Sequence, residues 1–441
     1  MAATEPATAA PPAGPGGIPR RRPRREPAAR PYTRPLPVVP VRARGVTVEG
    51  ADGRRYLDCT FGAGALVLGH NHPVVLEAVR RVVDSGAPLH ALDLATPVRD
   101  AFTAELLATL PPAFARGAHV RFCDPAGTDA VDAALALARA ATGRTGAPAL
   151  TAAAHRDPAA PGRPDAPGAT RVARPPHPDA YRCPSGGTEP AARRTGLPPD
   201  GPGTRSDPPA AVVVEPVQGG GVVPAPDDWL RRVRECTATR SVPLIADETL
   251  TGLGRTGAFW AVEHSGVVPD ALVVSRILGG SLPLSVIVHR FALDPGGRGG
   301  HADGFRGNRP AMAAGTATLA YVRENRLAER AAVLGARLLA RLRELAAAHA
   351  CVGDVRGRGL VIGVELADAA AGPGGAPPPA PALAEAVRRE CLDRGLIVGT
   401  GGPRSGVVRL LPPLTLTDEQ AAAVLDRFAD ALAAVERAFT R

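Results

Sequence analysis

The chain has 441 residues; 45% are hydrophobic but only 3% are aromatic, so a sizeable core is available and must be built mainly from Ala, Val and Leu. Gly (50) and Pro (48) are abundant, which points to long irregular stretches. The formal charge is +9 and every one of the 52 basic residues is Arg, none Lys; that bias reads as the mark of a GC-rich coding sequence, since no nucleic-acid motif accompanies it, and no apolar run of about 18 residues offers a membrane span.

Residues 1–30 are rich in Ala, Pro and Arg, and Arg20-Arg21-Arg22-Pro23-Arg24-Arg25 has no apolar segment behind it. They are expected to be a disordered tail and not a secretory signal. Val46-Thr47-Val48 and Tyr56-Leu57 flank Gly50-Ala51-Asp52-Gly53 as a small hairpin. Pro73 opens a helix with Val74, Val75, Ala78, Val79 and Val82 along one side. A strand–turn–helix rhythm follows: strand His119–Phe122, helix Thr128–Ala141, strand Ala211–Val214, helix Trp229–Thr239 and strand Val242–Ala246. Leu272–Val274 and Ser285–Val288 continue the sheet, and continuous apolar runs such as Ala211–Val214 suit strands buried on both faces. Ala311–Ala348 reads as helix in two pieces. Strand Gly359–Leu366, helix Leu383–Arg394, strand Val407–Leu411 and helix Glu419–Phe439 form a smaller α+β unit. Residues 145–210, dense in Pro, Gly, Arg and Ala, show no periodicity where the sheet should continue.

Six cysteines (Cys59, Cys123, Cys183, Cys236, Cys351, Cys391) are scattered without a C-x-x-C pair. That spacing suits free thiols in a reducing, cytoplasmic setting, and no metal site is expected. Two places look chemical. Cys123-Asp124-Pro125-Ala126-Gly127-Thr128 joins a strand to a helix; Gly127 permits close backbone approach and the helix start offers free N–H groups, so the turn fits either a phosphate cradle or an ordinary capped turn. Leu244-Ile245-Ala246-Asp247-Glu248 puts a carboxylate at the C-terminal end of a buried strand, where open α/β sheets bind ligands. Asp247 there fits either a helix cap or the partner of a protonated pyridine nitrogen.

Taken together, the blocks Asp52-Gly53-Arg54-Arg55-Tyr56-Leu57-Asp58, Leu68-Gly69-His70-Asn71-His72-Pro73, Ala126-Gly127-Thr128-Asp129-Ala130, Val214-Glu215-Pro216-Val217-Gln218-Gly219, Asp247-Glu248 with Gly254-Arg255-Thr256-Gly257, and Phe305-Arg306-Gly307-Asn308 resemble the class III, pyridoxal-phosphate-dependent aminotransferases from about Glu26 to Phe439. Gly86–His90, Tyr181-Arg182-Cys183-Pro184 and Ala311–Thr316 resemble the diaminobutyrate–2-oxoglutarate branch. The resemblance implies an α/β, fold-type I architecture: a large domain with a mostly parallel sheet (residues 87–324, irregular over 145–210) and a small α+β domain from both chain ends (31–86 and 325–441). It further implies pyridoxal 5'-phosphate as cofactor, an amino acid and a 2-oxo acid as substrates, and a dimer with active sites between subunits. Gly127 and Thr128 would hold the cofactor phosphate, Asp247 would face the pyridine nitrogen, His155 would belong to the segment over the ring, and Arg409 would hold a substrate carboxylate, a task suited to a planar guanidinium.

The sequence departs from that pattern at the reactive position. Where the family carries its Schiff-base lysine, this chain reads Val274-Ser275-Arg276-Ile277-Leu278-Gly279-Gly280. A guanidinium with pKa above about 12 stays protonated and cannot condense with an aldehyde, and the chain holds no lysine to replace it. Leu250 stands where the family places a Gln near the cofactor's phenolic oxygen, and Gly304 where it places a Thr. The glutamate that normally guards the carboxylate-binding Arg is absent from Gln218-Gly219-Gly220-Gly221-Val222, and Ala153-Ala154-His155-Arg156 replaces the aromatic-His-Gly segment. The expectation is a pseudoenzyme that binds pyridoxal phosphate weakly and without a covalent bond, as a homodimer or beside a lysine-bearing paralogue, with neither nucleic acid nor membrane as partner. The alternatives are an active transaminase using another route, or a non-catalytic binding protein.

Overall fold

The computed structural model describes residues 37–90, 94–123, 128–144, 149–150, 177–179, 181–182, 208–290, 293, 307–368, 376–402 and 405–439. The tail expected over 1–30, Gly127, His155, Gly304 and most of 145–210 lie outside these residues.

Strands β1 (Pro40–Arg44), β2 (Thr47–Gly50) and β3 (Arg55–Asp58) form an antiparallel meander. The β2–β3 hairpin was legible in the sequence; β1, mostly exposed, was not. A single turn, α1 (Phe61–Gly64), precedes α2 (Pro73–Asp84), which starts on its proline and buries Val75 and Val82. Helix α3 (Pro97–Ala108) is capped by Thr96, whose hydroxyl accepts from Arg99 N at 3.2 Å, and buries Phe102 and Leu106. The turn α4 (Pro112–Ala115) leads into the large sheet.

That sheet comprises β4 (Ala118–Cys123), followed by α5 (Thr128–Thr142), then β5 (Ala149–Leu150), β6 (Val212–Val214), the small pair β7 (Val217–Gln218) and β8 (Val223–Pro224), α6 (Asp227–Thr239), β9 (Leu244–Asp247), β10 (Ala271–Ser275) and β11 (Ser285–Arg290). Its order is β4-β11-β10-β9-β6-β5, with β7 and β8 paired apart. The sheet is parallel except for β11, which runs antiparallel to both neighbours. The reason is length: Arg276 to Leu284 is all that joins β10 to β11, and a parallel crossover takes a dozen residues or more. Every residue of β6, β9 and β10 is buried, as their unbroken apolar runs require.

Two long helices, α7 (Arg309–Glu324) and α8 (Leu327–Ala348), then cross to the smaller unit. Asn308 caps α7 by accepting from Ala311 N at 3.0 Å. The rest is β12 (Val352–Arg358), β13 (Val361–Leu366), α9 (Pro381–Asp393), β14 (Leu396–Ile397), β15 (Gly399–Gly401), β16 (Val407–Leu410) and α10 (Asp418–Phe439). One four-stranded sheet has the order β12-β13-β16-β15. The other joins the two ends of the chain, because β14 pairs in parallel with β3, Leu396 opposite Leu57 and Ile397 opposite Asp58. The architecture is therefore α/β, with a mostly parallel large sheet and smaller sheets built from both chain ends.

Candidate active site

Three sequence-singled positions converge on one edge of the large sheet. The register pairs Val273 with Asp247, and Glu248 N donates to Val273 O at 2.9 Å, so Asp247 ends β9 level with β10 while Arg276 emerges three residues further on. Strand β4 runs parallel to β10 on the far side of β11, which puts the start of α5 at Thr128 on the same edge. This is the carboxyl edge where open α/β sheets receive ligands.

Asp247 is 3% exposed, and its Oδ1 accepts from Thr249 N at 2.9 Å, which fixes the carboxylate at the turn. Arg276 is exposed and has φ +68°. A left-handed backbone is uncommon for a bulky residue and marks a position whose surroundings hold it there. Arg276 N donates to Leu284 O at 3.1 Å, and Gly280 (φ +55°) and Ser281 (φ +98°) complete a tight turn.

Arg409 sits on β16 between Gly363 of β13 and Gly399 of β15, and a Cβ on Gly401 of β15 would stand 2.9 Å from its Nε, so the bare backbone there leaves room for its side chain. Its Nη1 donates to Gly219 O at 3.1 Å, while its buried Nε has no hydrogen-bond partner among the described residues. Gly219 directly follows β7 and lies five residues past the end of β6, the neighbour of β9, so Arg409 reaches the same edge from the smaller unit. Burial pushes the guanidinium below its usual value, and the partner it meets is a neutral carbonyl. Leu250 lines this place too: a Cβ on Gly219 would stand 3.1 Å from its Cδ2, and it packs with Val217, Val222, Val361 and Leu411.

Other block residues serve the framework. Asp58 accepts from Thr60 N at 2.8 Å and Thr60 Oγ1 at 2.7 Å and pairs with His70 at 2.9 Å. Arg255 is fully buried; its Nη2 donates to Gly64 O at 2.7 Å and its Nη1 to Pro412 O at 3.3 Å, tying the first and last parts of the chain to the large sheet. Its partners among the described residues are carbonyls, and burial lowers its pKa to about 10. Glu248, 0% exposed, accepts from Val262 N at 2.9 Å and from Thr251 Oγ1; burial raises its pKa to about 7. Sequence reading assigned neither residue a role. The available signal was a charge set among small residues in Gly254-Arg255-Thr256-Gly257 and a second carboxylate beside Asp247. No group of three or more His, Cys, Asp or Glu among the described residues could hold a metal, and no helix among them is long and apolar enough to cross a membrane.

With this geometry in view, the class III aminotransferase family matches residues 28–155 and 202–432. The interruption falls inside the stretch where periodicity is lost. The chain is 45% identical to the diaminobutyrate–2-oxoglutarate aminotransferase of Rhizobium meliloti, over 90% of this chain and 87% of that protein. It is 38% identical to its namesake from Haemophilus influenzae, over 89% and 90%. Among solved structures, an amine transaminase from an uncultivated Pseudomonas species, in its PLP-bound internal aldimine form, superposes with a TM-score of 0.78 at 27% identity, covering 96% of this chain and all of that one. The ornithine aminotransferase of Toxoplasma gondii gives 0.72 at 26%, covering 92% of each.

Proposed function

Because the chain belongs to the class III aminotransferases, we propose that it retains the ligand-holding framework of that family while lacking its covalent step. The observation that carries this reading is that none of the 441 residues is a lysine; we assign Arg276, the residue just after β10, to the position of the Schiff-base lysine. A guanidinium delocalises its nitrogen lone pairs and offers none to an aldehyde.

The donor set fits pyridoxal phosphate only in part. Asp247, buried and held at a strand end, suits a protonated pyridine nitrogen, and the start of α5 at Thr128 suits a phosphate. Arg276 does not suit the aldehyde, and Leu250 offers the phenolic oxygen no hydrogen bond. We therefore read any cofactor binding as weak and non-covalent.

Arg409 is the carboxylate-holding residue in this reading. It presents an unpartnered Nε and lies against a neutral carbonyl, so an incoming carboxylate would supply the missing countercharge. The relatives named for diaminobutyrate and 2-oxoglutarate make those two the substrates to try. Steady-state glutamate formation from them, with saturating pyridoxal phosphate, is expected to stay at background. Turnover in the ordinary enzyme range of about 1–10³ s⁻¹ would overturn the proposal.

A further inference from the structure

Away from the large-sheet edge, three charged side chains gather around one buried carboxylate. Glu365 on β13 is 0% exposed. Its Oε1 accepts from Arg182 Nε, and its Oε2 lies 2.6 Å from Arg356 Nη1. Arg356 Nη1 also donates to Asp354 Oδ2 at 2.9 Å, so two arginines and two carboxylates balance. Burial works against the charge on Arg356, but Asp354 and Glu365 outweigh it and hold the guanidinium above its usual value. Arg182 belongs to Tyr181-Arg182, part of the connection between β5 and β6. Its guanidinium stacks 5.1 Å from the Tyr181 ring, whose hydroxyl lies so close over Gly353 of β12 that a Cβ there would collide with it. Tyr181 and Arg182, the described part of one block that resembles the diaminobutyrate branch, thus dock on the smaller unit's sheet.

The cluster reaches further through Arg356. Its Nε donates to Gly221 O at 2.9 Å. Gly221 N in turn donates to Gln218 Oε1 at 3.0 Å, Gly219 N donates to Glu215 Oε2 at 2.8 Å, and Gly219 O receives Arg409 Nη1. The turn is strained: Val222, β-branched and fully buried, has φ +52°. It packs against Gly363, the residue directly opposite Arg409 on β13. Three glycines and a strained valine do not hold such a shape alone. Glu215 and Gln218 tie it from the large-sheet side, and Arg356 ties it from the smaller unit.

We infer that Glu365, gripped by Arg182 and Arg356, is a positioning residue that sets the Gln218–Val222 turn and through it the aim of the Arg409 guanidinium at a carboxylate ligand. The inference rests on the proposed role of Arg409 for its ligand, but not for the turn. A fork is needed at position 356, because one edge must meet carboxylates while Nε meets a carbonyl; lysine supplies a single point of charge.

The test compares Glu365→Gln and the milder Arg356→Lys with wild type and with Glu329→Gln, an exposed helix-surface control. Backbone hydrogen exchange is followed in peptides covering 217–222, with peptides covering 244–247 and 271–275 as reference, and glutarate affinity is measured by calorimetry. Both variants are expected to speed exchange of the turn by about tenfold or more and to weaken glutarate by about tenfold, with the reference strands unchanged. Unchanged exchange in the turn, or an equal rise in the reference strands, would overturn the positioning role. If wild type fails to bind glutarate, or Arg409→Gln binds it equally well, the carboxylate reading of Arg409 falls, while the exchange result still decides what Glu365 does to the turn.

Discussion

Glu248→Gln isolates a buried titration next to the proposed cofactor carboxylate. Glu248 is wholly buried, and its two oxygens are satisfied by Thr251 and Val262 without any cation. Burial raises its pKa from the usual 4.5 to about 7. A carboxyl whose folded value lies above its unfolded value binds the proton more tightly when folded. Its favourable contribution is therefore complete below about pH 4.5, shrinks as pH rises, and is gone once pH passes about 7. The span corresponds to at most about 3 kcal/mol at 1.36 kcal/mol per unit. Glutamine is neutral throughout and keeps an oxygen for Val262 N, so the variant should gain on wild type steadily between pH 4.5 and 7 and level off above. For a chain of this size about 1 kcal/mol moves the melting temperature by roughly 1–2 °C, so the difference in Tm between variant and wild type should change by roughly 3–6 °C across that window. The assay is thermal unfolding followed by circular dichroism at half-unit pH steps. A difference that stays flat, or grows in the opposite direction, would refute the buried-acid account.

Arg276→Gly should be neutral to about 1 kcal/mol stabilising, because glycine accepts φ +68° freely, whereas Ala340→Gly in the exposed interior of α8 should cost about 1 kcal/mol; thermal melts of the two variants decide it. Arg276→Lys alone should give a yellow, weakly binding protein with little transamination: the amine would return roughly 10²–10⁴-fold in rate, but Leu250 still cannot hydrogen-bond the phenolic oxygen. Turnover of about 1–10³ s⁻¹ in the same glutamate assay would show that the lysine was the sole defect. Light scattering should report a dimer, alone or with a lysine-bearing paralogue, consistent with the exposed Leu89 and Leu94 at the segment that bridges to Asn308; a monomer under both conditions would contradict it.

What the sequence made legible were elements whose reasons are local. Pro73 at a helix start, the glycine-bounded hairpin before Tyr56 and the apolar runs of β6, β9 and β10 each carry their own signal. The elements it hid depend on distant partners. Val352–Arg358 contains two glycines, an aspartate and two arginines, and is a strand because β13 pairs with it and Glu365 receives Arg356. Leu396–Ile397 is too short to announce itself and exists through β3. The antiparallel sense of β11 is invisible to hydrophobicity, since five of its six residues are buried whichever way it runs. The site divides along the same line. Asp247, Arg276 and Arg409 could be named from motifs, but the Gly219 carbonyl under Arg409 and the charged cluster behind that turn come from contacts between segments far apart in the chain.

The most direct test of the account is reductive trapping. The purified chain is incubated with excess pyridoxal phosphate, reduced with borohydride and analysed by intact mass and peptide mapping. No stoichiometric pyridoxyl group is expected anywhere in residues 37–439, at Arg276 or elsewhere, and no absorbance band of a bound Schiff base before reduction. A stoichiometric, reduction-stable pyridoxyl adduct inside that core would contradict it.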